Sequence, residues 1–277
     1  MGQMSTSAGT SSTAYLERPG GRIAYEMAGS GPLLICAPGM GDLRSVYRFL
    51  SPVLSTAGFR VVAMDLRGHG DSDATFSDYD DVAAGTDLIA LAEHLGGAAV
   101  LVGNSMAAGA AAWAAAEAPD LVAGLVLIGP FVRNAPVGFP AMLAFRLALL
   151  RPWGPAAWKA YYASLYPGRR PADLAEHQAR IRESLHRPGH WKAFVTTTHA
   201  SHQPVEARLG EIHAPTLVVM GERDPDFRDP AVEAQFIASR LDAEVIMVPG
   251  AGHYPQAEYP EVVAPAVIRF ARQIFDR

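Results

Sequence analysis

A serine directly after a buried strand is the residue of this chain best placed to act as a nucleophile. The apolar run Ala98–Val102 leads into Gly103, Asn104 and Ser105, and an Ala-rich helical stretch begins immediately afterwards. In such a strand-to-helix turn, the nucleophile elbow, the serine Oγ projects above the sheet and small neighbours let strand and helix approach closely. The same serine could instead cap the helix that follows it. The spacing Gly-x-Ser-x-Ala alone leaves both interpretations open.

Histidines cluster in the second half of the chain, and such a cluster could bind a metal ion. Five of the nine histidines are His177, His186, His190, His199 and His202. The last two would share a helical face only if a helix continues that far, and no carboxylate or cysteine follows at a spacing typical of zinc sites. We interpret these histidines as solvated or packing side chains. No glycine-rich dinucleotide motif follows a strand and no Walker pattern occurs, so we expect neither a metal nor any other cofactor.

Composition narrows the class of protein. Hydrophobic residues make up 49% and charged residues 18% of 277 residues, which excludes a disordered chain. The net charge of −5 shows no basic excess that would indicate binding to nucleic acid or to a membrane surface. Neither a signal peptide nor a spanning helix is apparent, so we expect a cytoplasmic protein acting on a small molecule. Cys36 is the only cysteine, which forbids an intrachain disulfide, and the oligomeric state stays open.

Short apolar runs alternate with helix-length segments over most of the chain. Such runs are typical of strands buried on both faces of a parallel sheet, and the alternation predicts a doubly wound, mostly parallel α/β fold. A hairpin of Tyr15–Arg18 and Arg22–Ala28 precedes them. The predicted strands are Leu33–Ala37, Val61–Met64, Ala98–Val102, Leu125–Ile128, Thr216–Met220 and Val245–Val248. The predicted helices are Val46–Ala57, Asp81–Leu95, Ser105–Ala118, Pro230–Leu241 and Pro260–Phe275.

One interval breaks this rhythm. The 87 residues between Ile128 and Thr216 contain no convincing strand, and a structureless loop of that length would be unusual. Proline and glycine breakers divide the interval into helical segments, which we interpret as a helical cap on the sheet. These segments are Pro140–Leu150, Pro155–Leu165, Pro171–Leu185 and His190–Thr198. The expected organisation is a disordered tail over 1–14, a core over 15–130 and 207–277, and a helical cap over 131–206.

Four motifs at the ends of predicted strands resemble those of the α/β-hydrolase superfamily, and the resemblance covers the chain from about Tyr15 to Phe275. They are Pro38-Gly39-Met40-Gly41, the serine motif at Ser105, Gly221-Glu222-Arg223-Asp224 and Gly250-Ala251-Gly252-His253. The resemblance implies a catalytic triad of Ser105 as nucleophile, His253 as base and Asp224 as acid, in the chain order of that fold. It also implies that the backbone N–H groups of Met40 and Met106 bind the oxyanion.

Two departures from the family's motifs, and one further segment of the sequence, bear on the assignment of the catalytic residues. Ala107 stands where the elbow usually has glycine, and Asp226 is a second candidate acid, although the motif spacing favours Asp224. The segment from Asp65 to Ser72 resembles a structural loop of the family, so we expect His69 to be structural rather than catalytic.

If His253 is the base and its imidazole has an ordinary pKa, activity should rise between about pH 6 and 7.

The implied activity is that of a serine hydrolase that cleaves an ester or related acyl bond of a small, mostly apolar substrate through an acyl-enzyme. Carbon–carbon bond hydrolysis of the meta-cleavage-product type is an alternative, because Gly103-Asn104-Ser105-Met106 is an elbow familiar from those enzymes. Their glycine-rich oxyanion loop with a downstream asparagine is missing here. A cofactor-free perhydrolase of haloperoxidase type and a hydrolase-fold ligand receptor also remain open. Dehalogenases and epoxide hydrolases of this fold use an aspartate nucleophile, which Ser105 excludes.

Overall fold

In the part of the chain that the structure covers, eight strands form a single sheet in the order β1-β2-β4-β3-β5-β6-β7-β8. The computed structural model describes residues 12–134 and 138–276. The β1–β2 and β2–β4 pairs are antiparallel and every other neighbouring pair is parallel. The strands are β1 Ala14–Arg18, β2 Gly21–Ala28, β3 Leu33–Ala37, β4 Arg60–Met64, β5 Ala99–Asn104, β6 Val122–Ile128, β7 Thr216–Gly221 and β8 Glu244–Val248. The predicted hairpin and all six predicted strands are present, and the doubly wound, mostly parallel sheet is confirmed.

Helices connect the strands and cover both faces of the sheet. They are α1 Leu50–Thr56, α2 Asp81–His94, α3 Met106–Glu117, α4 Phe139–Ala148, α5 Gly154–Ser164, α6 Leu174–His186, α7 His190–Thr197, α8 Gln203–Glu206, α9 Pro230–Leu241, α10 Pro255–Glu258 and α11 Pro260–Phe275. Short 3-10 turns occupy Arg44–Tyr47, Pro119–Leu121 and Leu209–Glu211. Aspartate side chains cap two of the helices that the structure describes: the Asp80 carboxylate accepts a hydrogen bond from the Ala83 N–H at the start of α2, and Asp229 accepts one from the Val232 N–H at the start of α9.

The alternation of side chains along the central strands divides the core into two layers. Along β3, Leu33 and Ile35 face a cluster that includes residues of α2, α3 and α9, whereas Leu34 and Cys36 face α1, α11 and cap residues. Every residue of β3 is buried, as expected for a strand covered on both faces. Cys36 is therefore a buried core residue.

One predicted helix is divided in two. Instead of a continuous helix over Val46–Ala57, a 3-10 turn over Arg44–Tyr47 precedes α1, which begins at Leu50. Pro52 accounts for the break, because its ring would clash with the carbonyl of Arg48 in a continuous α-helix and it has no N–H to donate.

Five of the described helices, α4 to α8, lie in the interval between β6 and β7, where the sequence predicts a helical cap. Trp158, Tyr162 and Phe194 from this interval belong to the same core layer as Leu34 and Cys36. We propose 131–206 as the extent of the cap. The predicted disordered tail falls mostly on residues 1–11, outside the described residues, and β1 begins at Ala14. None of the described helices is long and apolar enough to cross a membrane.

Candidate active site

Ser105 lies in the sharp turn between β5 and α3. Its backbone has φ +58° and ψ −124°, a conformation that costs a non-glycine residue about 1–3 kcal/mol. Its side chain makes no capping hydrogen bond to α3, which argues against the alternative role as a helix cap. A methyl group on Gly103 would lie 2.3 Å from the carbonyl oxygen of Ala107, so only glycine permits this approach of strand and helix. The turn holds Ser105 in the strained geometry of a nucleophile elbow.

Asp224 and His253 meet at the same edge of the sheet. Asp224 follows β7, His253 follows β8, and the imidazole Nδ1–H donates a hydrogen bond of 2.7 Å to Asp224 Oδ2. Both side chains are buried. Gly129, at the end of β6 with φ +50°, lies against the pair, since a methyl group there would be 3.1 Å from His253 Nδ1. The Asp224–His253 pair thus lies next to Gly129, at the carboxyl end of β6.

Asn104 ties the serine turn to the histidine loop. Its side-chain amide donates to the carbonyl oxygens of Ile128 at 3.1 Å and His253 at 3.2 Å, and the Ser105 N–H donates to the same Ile128 oxygen at 2.8 Å. From the cap, the Leu165 carbonyl accepts a hydrogen bond of 3.0 Å from the His253 N–H. One residue of the core, Asn104, and one of the cap, Leu165, therefore hold the backbone of the proposed base beside the serine turn.

Asp226 is close to His253 but does not hydrogen-bond it. Its Oδ2 lies 3.7 Å from His253 Nδ1, and its backbone N–H donates to Asp224 Oδ1 at 3.0 Å. The hydroxyl of Tyr161, from α5 of the cap, donates to the other carboxylate oxygen of Asp226. Burial raises the pKa of Asp226, and the neighbouring His253 opposes that rise. The direct contact with the imidazole favours Asp224 as the acid.

The electrostatic environment of His253 is dominated by these carboxylates. Burial by itself lowers the pKa of the imidazole, but Asp224 and then Asp226 stabilise the charged form and raise the pKa to about 9. Asp42 adds a smaller effect in the same direction. His69 is different, because burial lowers its pKa. The site thus favours an imidazolium at His253 at neutral pH.

The Asp224, Asp226 and His253 side chains are also the group of described residues that could hold a metal ion, with ligand atoms within 4.8 Å of one another. Two ligands of one tetrahedral zinc at bond lengths near 2 Å would lie about 3.3 Å apart. The 2.7 Å between His253 Nδ1 and Asp224 Oδ2 is shorter than that and corresponds to a direct hydrogen bond. The spacing therefore fits a direct hydrogen bond between His253 and Asp224 better than a cation bound by both side chains.

The loop after β3 lies against the serine. A methyl group on Gly39 would be 2.8 Å from Ser105 Cβ, which places the neighbouring Met40 beside the elbow. Two bonds fix this loop: the Asp42 N–H donates to the Gly39 carbonyl at 3.3 Å, and the Gly41 N–H donates to His69 Nε2 at 2.9 Å. Met106 is the first residue of α3, so its N–H has no acceptor within the helix.

His69 holds this loop and is not one of the residues of the proposed triad. Its Nδ1–H donates to the Arg67 carbonyl at 2.8 Å, which leaves Nε2 free to accept from Gly41. A lowered pKa keeps the ring neutral, as acceptance at Nε2 requires. This geometry agrees with the structural role that the sequence predicts for His69.

A buried carboxylate connects the same loop to the cap. His177 Nε2–H, from α6, donates to Asp42 Oδ1 at 2.7 Å, and the Tyr162 hydroxyl, from α5, donates to Asp42 Oδ2 at 2.9 Å. Trp158 Nε1–H donates to the Gly41 carbonyl at 3.2 Å. Asp42 and His177 are almost completely buried. The cap is therefore hydrogen-bonded to the proposed oxyanion loop itself.

Sequence reasoning brings Ser105, Asp224, His253, Met40 and Met106 to one site, and the structure places all five at the same end of the sheet. Sequence reasoning does not identify four further residues of that site, which are Asn104, Asp42, His177 and Tyr161. Asn104 adjoins the elbow and Asp42 adjoins the oxyanion loop, so their positions in the motifs were the available signal. No local pattern indicates the contacts of His177 and Tyr161, because their partners lie 135 and 65 residues away.

Comparison with protein families and curated proteins gives a consistent result. A family model described as the alpha/beta hydrolase family matches residues 34–266. A 2-(acetamidomethylene)succinate hydrolase of Mesorhizobium japonicum is 30% identical over 261 residues, which cover 90% of this chain and 92% of the relative. A 2-hydroxy-6-oxo-6-phenylhexa-2,4-dienoate hydrolase of Burkholderia cepacia is 29% identical over 252 residues, covering 87% of each chain.

Solved structures show the same architecture. A hydrolase from Pseudomonas aeruginosa superposes with a TM-score of 0.77 at 26% identity, covering 95% of this chain and 99% of the other. A thermophilic esterase from Thermogutta terrifontis superposes with a TM-score of 0.76 at 24% identity, with the same two coverages. At that identity the second likeness concerns the fold alone.

Proposed function

The chain belongs to the alpha/beta hydrolase family, and from that membership we propose that it is a serine hydrolase cleaving an ester or related acyl bond through an acyl-enzyme on Ser105. The observation that carries the proposal is the 2.7 Å hydrogen bond between buried Asp224 and His253, held by Asn104 beside the strained Ser105 turn. An oriented base next to a strained serine is the arrangement that activates a hydroxyl for attack on a carbonyl.

Each residue then has a distinct role. Ser105 Oγ attacks the acyl carbon while Nε2 of His253 takes its proton, and Asp224 stabilises the imidazolium that forms. The N–H groups of Met40 and Met106 bind the oxyanion, at about 3 kcal/mol for each donor. The imidazolium then protonates the leaving alcohol. Water, deprotonated by the same imidazole, releases the acid and restores Ser105.

The charges around His253 favour a substrate without a negative charge. The charged side chains with the largest effects on its pKa are Asp224, Asp226 and Asp42, all carboxylates. An anionic group close to the reacting bond would face unfavourable charge of the same sign. From the cap, Trp158, Tyr161 and Tyr162 hydrogen-bond to Gly41, Asp226 and Asp42, so the cap side of the site is built from aromatic side chains. We therefore propose a small, mostly apolar and uncharged acyl substrate.

Carbon–carbon bond hydrolysis of the meta-cleavage type is the second candidate. It is favoured by the elbow Gly103-Asn104-Ser105-Met106 and by relatives named as 2-hydroxy-6-oxo-dienoate hydrolases. The names of those substrates describe carboxylates, which fit less well beside Asp226 and Asp42. Perhydrolysis and a ligand receptor with slow turnover would use the same triad and would be separated from the main proposal by rate measurements.

The test is a fluorophosphonate label followed by mass spectrometry, combined with turnover of nitrophenyl esters of increasing acyl length. We expect the label on Ser105, turnover of short and medium esters, and unchanged turnover after overnight chelation. Ser105→Ala should abolish labelling and turnover and change the free energy of unfolding by no more than about 1 kcal/mol. Ser239→Ala, an exposed serine on α9, is the matched control and should retain both.

Two results would contradict the proposal. A label on another serine would remove Ser105 from the role of nucleophile. Cleavage of a 2-hydroxy-6-oxo-dienoate at a higher kcat/KM than any ester in the series would favour the carbon–carbon hydrolase, and absence of turnover with retained ligand binding would favour the receptor.

A further inference from the structure

Helix α4 of the cap is apolar on two opposite sides, and one of them faces solvent. Phe145 points inward, with its ring 6.1 Å from that of Tyr161. Leu143 and Leu147 lie on the outward side at spacing i, i+4, and are 43% and 51% exposed. Leu150 and Trp153 continue this surface in the turn after the helix, at 49% and 54%. We call these four residues the apolar cap face.

Such clustering is unusual for the outer side of a helix in a water-soluble domain, which is normally polar. Nine large hydrophobic side chains are exposed in the described part of the chain, and four of them form the apolar cap face. The indole N–H of Trp153 donates to the Leu147 carbonyl at 2.9 Å, which fixes the ring beside that leucine. The arrangement implies that another surface covers this face.

The charge distribution indicates the nature of that surface. No aspartate or glutamate occurs from residue 121 to residue 172, whereas the same stretch contains six basic residues. These are Arg133, Arg146, Arg151, Lys159, Arg169 and Arg170. The net charge of −5 therefore averages over a strongly basic cap segment and an acidic remainder.

In the part of the chain that the structure describes, the two cations on or beside the apolar cap face have no acidic partner. Arg146 lies on α4 itself, and Arg151 lies between Leu150 and Trp153. Among the described residues neither forms an ion pair, in contrast to Arg133, which pairs with Glu233 at 2.6 Å. Apolar and aromatic side chains flanked by unpaired cations are typical of helices that lie in the interface of an anionic bilayer.

We propose that the apolar cap face docks onto an anionic lipid surface, with α4 lying in the plane of the interface. A symmetric contact with a second copy of the chain would bring Arg146 and Arg151 of one protomer towards the same residues of the other, with no carboxylate of the segment to compensate. Anionic headgroups supply the missing negative charge, and the acyl boundary accepts the leucines. This proposal is independent of the reaction at Ser105.

Co-sedimentation with vesicles tests the proposal. We expect the full chain to bind vesicles of equimolar phosphatidylglycerol and phosphatidylcholine at low ionic strength, to bind pure phosphatidylcholine much less, and to be released by salt. Leu143→Ser with Leu147→Ser should lower the partition coefficient by at least ~10-fold. Arg146→Gln with Arg151→Gln should lower it about fivefold for each cation removed.

The matched control is Val232→Ser with Arg240→Gln on α9, which removes an exposed hydrophobic side chain and a cation elsewhere and should leave binding unchanged. Ser105→Ala should bind vesicles like the unaltered protein. The result for vesicle binding can therefore be separated from the result for hydrolysis. Absence of binding to the anionic vesicles, or equal binding by the cap and control variants, would overturn the proposal. Sedimentation of the free protein as a dimer that Leu143→Ser with Leu147→Ser dissociates would assign the face to a second copy instead.

Discussion

Two carboxylates lie close to Nδ1 of His253, and their charge sets the pH range in which Ser105 can be activated. A base must be neutral to accept the serine proton, and the carboxylates raise the pKa of His253 to about 9. We therefore expect kcat/KM to rise with pH through about 9, rather than between pH 6 and 7 as an ordinary imidazole would give. The measurement is the pH dependence of kcat/KM on one activated ester. A plateau of kcat/KM reached below pH 7 would contradict this prediction.

The same shift links the protonation of His253 to stability. Because the pKa of His253 is raised in the folded state, its charged form stabilises the fold fully below the unfolded value near 6.5, and this contribution is lost as pH rises through about 9. Chemical denaturation across this range should show a smaller decline of stability in His253→Gln than in the unaltered protein. An identical decline in both would show that other groups cause it.

The two aspartates beside His253 should differ in their effects on activity. Asp224→Asn should reduce kcat by up to ~10⁴-fold, because the hydrogen bond that fixes the imidazole tautomer is lost. Asp226→Asn should cost less than ~10-fold and should move the pH profile to lower pH, because one carboxylate that raises the pKa of His253 is removed. Rate profiles of both variants, with circular dichroism as a check of folding, test the assignment. A larger loss in the Asp226 variant would exchange the two roles.

At the level of elements, the junction of β5 with α3 depends on the absence of a side chain at Gly103. A methyl group there would meet the Ala107 carbonyl oxygen at 2.3 Å, so Gly103→Ala should separate strand from helix and displace Ser105. We expect a loss of more than about 3 kcal/mol in unfolding free energy and of most activity. The control is Gly97→Ala, where nothing lies within 4 Å of the added methyl and stability should change little. Equal stability of the two variants in urea denaturation would contradict this prediction.

At the level of the whole molecule, the buried Asp42–His177 pair joins the core to the cap. Removing either partner leaves a buried polar group without its main contact, so Asp42→Ala and His177→Ala should each cost about 3–5 kcal/mol. The double variant should cost clearly less than the sum of the two. Glu176→Ala and Arg180→Ala, an exposed ion pair on the same helix, provide the control and should each cost under about 1 kcal/mol. Additive effects in the Asp42–His177 cycle, measured by urea denaturation, would show that the pair does not couple cap and core.

Local patterns in the sequence were enough to predict the parallel sheet, the order of the motifs and the residues proposed for catalysis. Buried parallel strands and capped helices depend on local patterns, so β3 and α9 were predicted to the residue. The predicted helix Val46–Ala57 is the one that the structure divides, because of Pro52. In a parallel sheet the carboxyl ends of strands share one edge, so motifs that follow β5, β7 and β8 had to meet. The placement of Ser105, Asp224 and His253 at one site follows from that topology.

The effects of nearby charges and of the cap on that site depend on the tertiary structure. The Tyr161–Asp226 and His177–Asp42 contacts join residues far apart in the chain, and no periodicity encodes such pairs. The raised pKa of His253 depends on distances to two carboxylates within a buried site, since burial strengthens charge interactions that water would screen. Which side of α4 faces solvent depends likewise on how the cap packs, because the helix is apolar on both sides and its sequence does not distinguish them.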